Sequence, residues 1–237
     1  MTPPLLLLTR PRPQSERFAQ LCRSECPPHR TLIAPMTTIM PLPFDPVVFE
    51  DAAAVILTSP NAVPAVRGRG LPVWCVGPGT AEAARAAGLK VAHQSGGDAE
   101  HLLADLRAAG PRMRLVHAHG RHLARDLVAA LTPEGFDIAS AVVYEARTIA
   151  WDTPVLPAIE AAAHLVAPLF SPRAAGEFAA RLDGRVPEGL RIVAISANCA
   201  ARLPKVLRAR STIARTPDAA AMCRAIAARL PHLPSEP

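Results

Sequence analysis

Two short turns, Thr58-Ser59-Pro60-Asn61 and Phe170-Ser171-Pro172-Arg173, each place a hydroxyl side chain directly after an apolar run and directly before a stretch of helical spacing. At such a junction the first backbone N–H groups of the helix are free and the helix dipole favours negative charge, so the turn can hold a carboxylate or a phosphate. The same arrangement also serves plain helix capping, worth about 1 kcal/mol per cap. Two copies at matched positions favour the anion site, because ligands of α/β folds gather beyond the carboxyl ends of the strands. Gly77-Pro78-Gly79-Thr80 is a third turn of this kind. It is not a dinucleotide fingerprint, since the third glycine of G-x-G-x-x-G would fall at Glu82, and no G-x-x-x-x-G-K run is present.

His117, His119, His122 and Asp126 have the residue types of a metal centre, and His117 with His119 would share one strand face. Arg121 and Arg125 stand among them and would repel a cation. A basic rim for an anion, or buried histidines, fits better, and no metal is expected. The five cysteines, Cys22, Cys26, Cys75, Cys199 and Cys223, are an odd number without a C-x-x-C pair. Neither a disulfide framework nor a zinc knuckle is indicated, and most read as small buried apolar groups.

Positioning these groups falls to an alternation of short apolar runs and Ala/Leu/Arg-rich helical stretches, the pattern of an α/β protein with parallel sheets. Strands are expected at Leu5–Leu8, Val55–Leu57, Val73–Val76, Leu115–Ala118, Leu165–Phe170 and Arg191–Ile195. Helices are expected at Gln14–Arg23 with Ser15 near its start, at Ala81–Ala87 closed by Gly88, and at Ala99–Ala109 capped by Asp98 and stopped by Gly110-Pro111. Further helices are expected up to Leu131, at Cys199–Leu203, and from Asp218 to about Leu230. Thr31–Met40 and Ala139–Ile149 read as long extended runs. The halves also repeat: Leu57–Ala62 matches Leu169–Ala174, Trp74–Ala87 matches Ile192–Leu203, and Leu5–Leu21 matches Leu115–Leu131. Two similar lobes follow, with both extended runs carrying the chain from one to the other.

Composition narrows the classes. At 237 residues, half of them apolar and 19% charged, the chain forms a core and is neither disordered nor fibrous. Its longest apolar runs fall far short of the roughly 20 residues that span a bilayer, and no basic leader precedes Leu5–Leu8, so a cytoplasmic location and no membrane are expected. Only Lys90 and Lys205 are lysines, which leaves 24 arginines and a net charge of +6. The charge suggests an anionic partner, although mutational bias toward Arg, Ala and Pro codons accounts for it equally well. Aromatics are only 4%, Tyr144 is the sole tyrosine, and the arginines are dispersed, so nucleic acid is not the expected partner.

The ordered set Thr9-Arg10-Pro11, Leu57-Thr58-Ser59-Pro60-Asn61-Ala62-Val63, Val76-Gly77-Pro78-Gly79-Thr80-Ala81, Gly97-Asp98-Ala99-Glu100, Val143-Tyr144-Glu145, Phe170-Ser171-Pro172 and Thr216-Pro217-Asp218 resembles the uroporphyrinogen-III synthase family over essentially the whole chain. The resemblance implies two flavodoxin-like, doubly wound parallel-sheet lobes joined by a two-stranded β connector, with a ligand cleft between them. One lobe would comprise residues 1–35 and 148–237, the other residues 36–147. It implies a cofactor-free, monomeric lyase that converts hydroxymethylbilane, a linear tetrapyrrole rich in carboxylates, to uroporphyrinogen III. Substrate would be held by Arg10, Thr58, Ser59, Asn61, Gly79, Thr80, Ser171, Arg173, Ser196 and Asn198, and Tyr144 would donate a proton to the leaving hydroxyl. An aromatic packed at a crossing strand is the other reading of Tyr144. Where the family commonly shows Ile-Gly-Pro-x-Thr-Ala, this chain has Ile195-Ser196-Ala197-Asn198-Cys199-Ala200, which removes a threonine hydroxyl that Ser196 or Asn198 would replace. A non-catalytic two-lobed binding module for an anionic small molecule is the alternative function.

Overall fold

The computed structural model describes residues 3–110, 113–151 and 154–231. Pro111, read above as part of a helix stop, and the first two residues lie outside the described residues. Along the chain run β1 (Leu5–Leu8), α1 (Arg12–Glu25), β2 (Arg30–Ile33), β3 (Thr37–Pro41), β4 (Ala54–Leu57), α2 (Val63–Val66), β5 (Val73–Cys75), α3 (Pro78–Ala86), β6 (Val91–Gln94), α4 (Ala99–Ala109), β7 (Leu115–Gly120) and α5 (Leu127–Leu131). They are followed by β8 (Ile138–Thr148), α6 (Val155–Glu160), β9 (Leu165–Leu169), α7 (Pro172–Leu182), β10 (Leu190–Ala194), α8 (Ala197–Ala201), α9 (Lys205–Arg208), β11 (Ser211–Ile213) and α10 (Ala219–Ala227).

These elements form two compact units. One comprises Met1–Thr38 with Thr148–Pro237, the other Ile39–Arg147. The first holds a parallel five-stranded sheet in the order β11-β10-β9-β1-β2. Numbered by their appearance in the chain, its strands from β2 to β11 run 2-1-3-4-5, the flavodoxin-like order. The second holds a six-stranded sheet, β3-β8-β7-β4-β5-β6, parallel from β8 to β6. In position β9, β10 and β11 correspond to β4, β5 and β6, and β1 and β2 to β7 and β8. The three internal sequence matches therefore fall on equivalent strands. The second unit is a circular permutation of the first, with β3 added beside β8.

Both faces of the central strands are covered, and the alternation of side chains decides which helix each residue meets. Leu5 and Leu7 of β1 pack with Phe178 and Leu182 of α7 on one face. Leu6 and Leu8 pack with Phe18 of α1 and Met222 of α10 on the other. In the second unit Val55 and Leu57 of β4 meet Ala81 and Ala84 of α3, while Ala54 and Ile56 meet Leu102 and Leu106 of α4. A strand buried on both sides reads as the continuous apolar run seen at each of these positions.

Several expectations change. Thr31–Met40 is two strands, β2 and β3, in different sheets, because Pro35 has no N–H to continue a ladder. The intervening Ala34 and Met36 amides donate instead to the carbonyls of Leu8 and Thr9. Ser15 is not a cap: α1 begins at Arg12, and the buried Ser15 hydroxyl donates to the Arg10 carbonyl at 2.8 Å. The helix before Leu131 is only α5, since Asp126 caps it by accepting the Ala129 amide at 3.0 Å. Asp98 and Asp218 do cap α4 and α10. Strands β6 and β11 had not been expected.

Double-sided burial makes a sharp prediction. Leu6→Ala and Leu7→Ala, adjacent residues on opposite faces, are each expected to lower unfolding free energy by about 3 kcal/mol in urea titrations. A half-buried strand would show the loss at only one of the two.

Candidate active site

Parallel strands in each unit end together, and the loops leaving those ends carry most of the residues singled out from the sequence. In the second unit the order reverses direction between β4 and β7, the position at which doubly wound sheets open a crevice. Thr58 and Ser59 follow β4. The Ser59 hydroxyl accepts the Asn61 amide at 3.3 Å and caps a 3-10 turn over Pro60–Ala62. Helix continuation is interrupted because Pro64 lacks an N–H, and only the single turn α2 follows.

Thr58 lies 3.1 Å, oxygen to Nε2, from His117 of β7. His117 is fully buried, and its Nδ1 has no partner among the described residues. Burial, reinforced by His119, pushes its pKa from 6.5 down to about 3, so the ring is neutral at physiological pH. With the proton on Nε2, His117 donates to Thr58 and leaves the threonine hydroxyl proton free for an outside acceptor. His119 is tied down separately, Nδ1 to the Gly120 carbonyl and Nε2 to the Ser140 hydroxyl, both at 2.7 Å. Arg121 pairs with Glu145 and Arg125 with Glu100, each at 3.3 Å. The histidine segment therefore supplies two buried imidazoles, each hydrogen-bonded to a neighbouring hydroxyl, and salt-bridged arginines.

The third turn sits beside them. Gly77 starts α3 in an extended conformation, and a Cβ there would stand 2.6 Å from the Gly97 Cα, so close backbone approach demands glycine. Among the described residues no side chain caps α3. Its exposed second residue, Gly79, thus offers an uncapped helix N-terminus, while Thr80 is buried. Tyr144 on β8 is partly buried against the same core. Its ring lies over Gly120, where a Cβ would come within 2.6 Å of Cε2 and Cζ. Among the described residues the Tyr144 hydroxyl has no hydrogen-bond partner. The backbone of Tyr144 accepts from the Arg121 amide at 2.9 Å, which holds the tyrosine at the carboxyl end of β7.

In the first unit the equivalent reversal lies between β1 and β9. Thr9 and Arg10 follow β1, and Phe170 and Ser171 follow β9. The Arg10 guanidinium stacks 4.3 Å above the Phe170 ring. Burial, with a smaller contribution from Arg17, lowers its pKa to about 10, so it stays charged at neutral pH. Among the described residues no carboxylate lies within ion-pair distance of it. Ser171 caps α7 by accepting the Ala174 amide at 3.1 Å, and Arg173 pairs with Glu177 at 3.2 Å. Ser196 caps α8 through the Cys199 amide at 3.3 Å, with Asn198 exposed beside it.

Cys199 occupies in α8 the place that Thr80 occupies in α3, the third helical residue, and both are buried. The Cys199 thiol donates to the Ser171 carbonyl at 3.2 Å, joining the turns of α7 and α8. Ser196, Asn198 and Cys199 thus all stand in the first turn of α8 or at its cap. What sequence reasoning missed is the pairing of Thr58 with His117, 59 residues apart, for which no local signal exists.

Comparison with known proteins adds to this geometry. The sequence model of a family described as uroporphyrinogen-III synthase HemD matches residues 17–224. No curated protein matches the chain significantly. Among solved structures, a uroporphyrinogen-III synthetase from Helicobacter pylori is similar with a TM-score of 0.62 and 19% identity, covering 96% of this chain and 99% of that one. A mutant uroporphyrinogen III synthase from Thermus thermophilus is similar with a TM-score of 0.51 and 16% identity, covering 94% and 97%. At these identities the structures establish a shared fold.

The buried neutral imidazole has a measurable consequence. The unfolded chain takes up a proton near pH 6.5 and the folded chain only near pH 3, so the contribution of His117 is fully present above 6.5 and is lost as pH falls toward 3. Thermal melts should show stability falling across that window by up to a few kcal/mol from this residue. His117→Asn is expected to flatten the dependence, and an unchanged slope would refute the buried neutral state.

Proposed function

The chain belongs to the uroporphyrinogen-III synthase family, and from that premise we propose how its own residues carry the reaction. The reaction is the cyclisation of hydroxymethylbilane to uroporphyrinogen III. In the proposed sequence, protonation of the terminal hydroxyl and departure of water leave an azafulvene electrophile. The far ring attacks through its substituted carbon to give a spiro intermediate; fragmentation, reclosure and loss of a proton then deliver the macrocycle with its last ring inverted. Atoms balance with water as the only by-product. No electrons leave the substrate, so the scheme draws on no cofactor.

The linear substrate can also close unaided to the uninverted isomer. The protein's task is therefore to hold a flexible chain in one productive geometry. Each unit by itself offers a set of groups suited to acetate and propionate arms. Thr58, Ser59, Asn61 and the uncapped start of α3 at Gly79 and Thr80 serve in one. Arg10, Ser171, Arg173, Ser196 and Asn198 serve in the other. Ser59, Ser171 and Ser196 spend their oxygens on capping, so their contribution is to hold the turn while hydroxyl and amide protons face the ligand. Tyr144 is assigned as proton donor: its phenol carries an O–H that has no internal acceptor among the described residues.

One observation carries the reading above all others. Arg10 is a partly desolvated cation with no carboxylate partner among the described residues, held by an aromatic stack at the strand ends, and this supports a grip on a substrate arm. The five free thiols fit a reducing compartment, which supports a cytoplasmic location, and no described helix is long and apolar enough to cross a membrane. We place the reaction on a monomer without nucleic acid.

Freshly prepared hydroxymethylbilane given to the purified protein should yield the type III isomer on chromatography. Type I alone would remove the synthase reading, and tight ligand binding without turnover would favour an anion-binding module. Tyr144→Phe is expected to lower kcat by about 100-fold or more with KM kept, as for loss of a general acid. Arg10→Met should raise KM by about 10- to 100-fold, the size of one charge-assisted hydrogen bond, with a smaller effect on kcat.

A further inference from the structure

Outside the groups assigned to substrate, the described residues bring three metal-ligating atoms together at one place only. The Sγ atoms of Cys22, Cys26 and Cys223 all lie within 4.8 Å of one another. Cys22 lies in the last turns of α1, and Cys26 is the extended residue that ends the helix, its amide donating to the Cys22 carbonyl at 2.9 Å. Cys223 comes from α10, which packs beside α1 on the same side of the first unit's sheet. Cys22 and Cys223 approach to 3.6 Å, sulfur to sulfur, and the Cys26 thiol donates to the Cys223 carbonyl at 3.5 Å. Nothing in the substrate chemistry uses them, and they lie at the end of α1 and on α10, away from the turns that follow β1 and β9.

The spacing has a specific chemical meaning. Metal–sulfur bonds of about 2.3 Å place three sulfurs around one ion about 4 Å apart, so the observed arrangement needs only small rotations about χ1. No imidazole or carboxylate joins the group among the described residues. An all-sulfur donor set selects soft cations. Structural zinc sites close with four ligands, whereas here two of the three residues are buried, at 0% and 2% exposure. Three sulfurs in a largely dry setting match a monovalent ion that is satisfied by three thiolates. Cys26, half-buried, provides the entry path.

We infer that Cys22, Cys26 and Cys223 form a three-thiolate site for one soft monovalent cation of the Cu(I) class, clamping the first helix of the chain to the last. On binding, each thiol releases its proton to solvent as its sulfur bonds the ion, and no electron is transferred. Because the ligands converge only in the folded unit, occupancy stabilises that unit by linkage.

The test uses the reduced full-length protein under anaerobic conditions, titrated with Cu(I) held as its bicinchoninate complex. Loss of the complex's visible absorbance is expected to stop at one equivalent per chain. Cys75→Ala should behave as the wild type. Cys26→Ser and Cys223→Ser should each weaken retention by at least about 100-fold, more than the cost of removing a ligand's supporting partner. Cys26→Ser leaves the two buried thiols in place, so its apo melting temperature should match that of the wild type while the Cu(I)-induced rise disappears. Copper K-edge spectra should show three sulfur neighbours. Wild-type affinity in Cys26→Ser, equal loss in Cys75→Ala, or two sulfur neighbours would overturn the site.

Discussion

Burial of the central strands on both faces is the constraint from which the rest of this protein follows. A parallel strand satisfies its backbone along its neighbours, and β1, β4 and β9 have helices above and below them. Polar chemistry is thereby excluded along their length and concentrated where the chain leaves the sheet. All strands of the first sheet point the same way, so their exits lie at one edge. The helices that follow begin there, each with N–H groups that lack an intrahelical acceptor.

Those exits are used in two different ways. Ser59, Ser171 and Ser196 consume part of the free donor capacity through internal caps, while α3 starts on glycines and keeps its donors available. Charge follows the same division. Most described arginines with an ion-pair partner hold surface carboxylates, pairs worth little individually. Arg10 is instead partly desolvated against Phe170 and retains its charge. The buried pair His117 and His119 holds the exit of β7 from inside through hydrogen bonds to Thr58, Gly120 and Ser140.

How far the sequence was readable varies element by element. Leu5–Leu8, Ala99–Ala109 and the Asp98 and Asp218 caps were legible because local apolar runs and capping side chains determine them. Strands β6 and β11 escaped notice because Val91–Gln94 and Ser211–Ile213 are edge segments with mixed burial and carry no apolar run. The break at Pro35 was visible as a residue yet not as a change of sheet, since the competing ladders come from residues far away in the chain. The turns and Tyr144 were legible as candidates, because residue type and local spacing mark them. The Arg10 stack on Phe170 and the Thr58 bond to His117 were not, for both join residues from separate strands.

The sequence by itself determined the α/β class, the repeat and the chemistry available at each turn, because these depend on interactions within a few residues. Tertiary structure alone decided what stands beside what. Cys22 and Cys26 are neighbours at the end of α1, but only the packing of α1 against α10 brings Cys223 to them from about 200 residues away. Strand order does the same for Thr58 and His117, and for Arg10 and Phe170. Local propensity cannot encode such meetings. They arise when sheets order their strands by packing, with no regard to position in the chain.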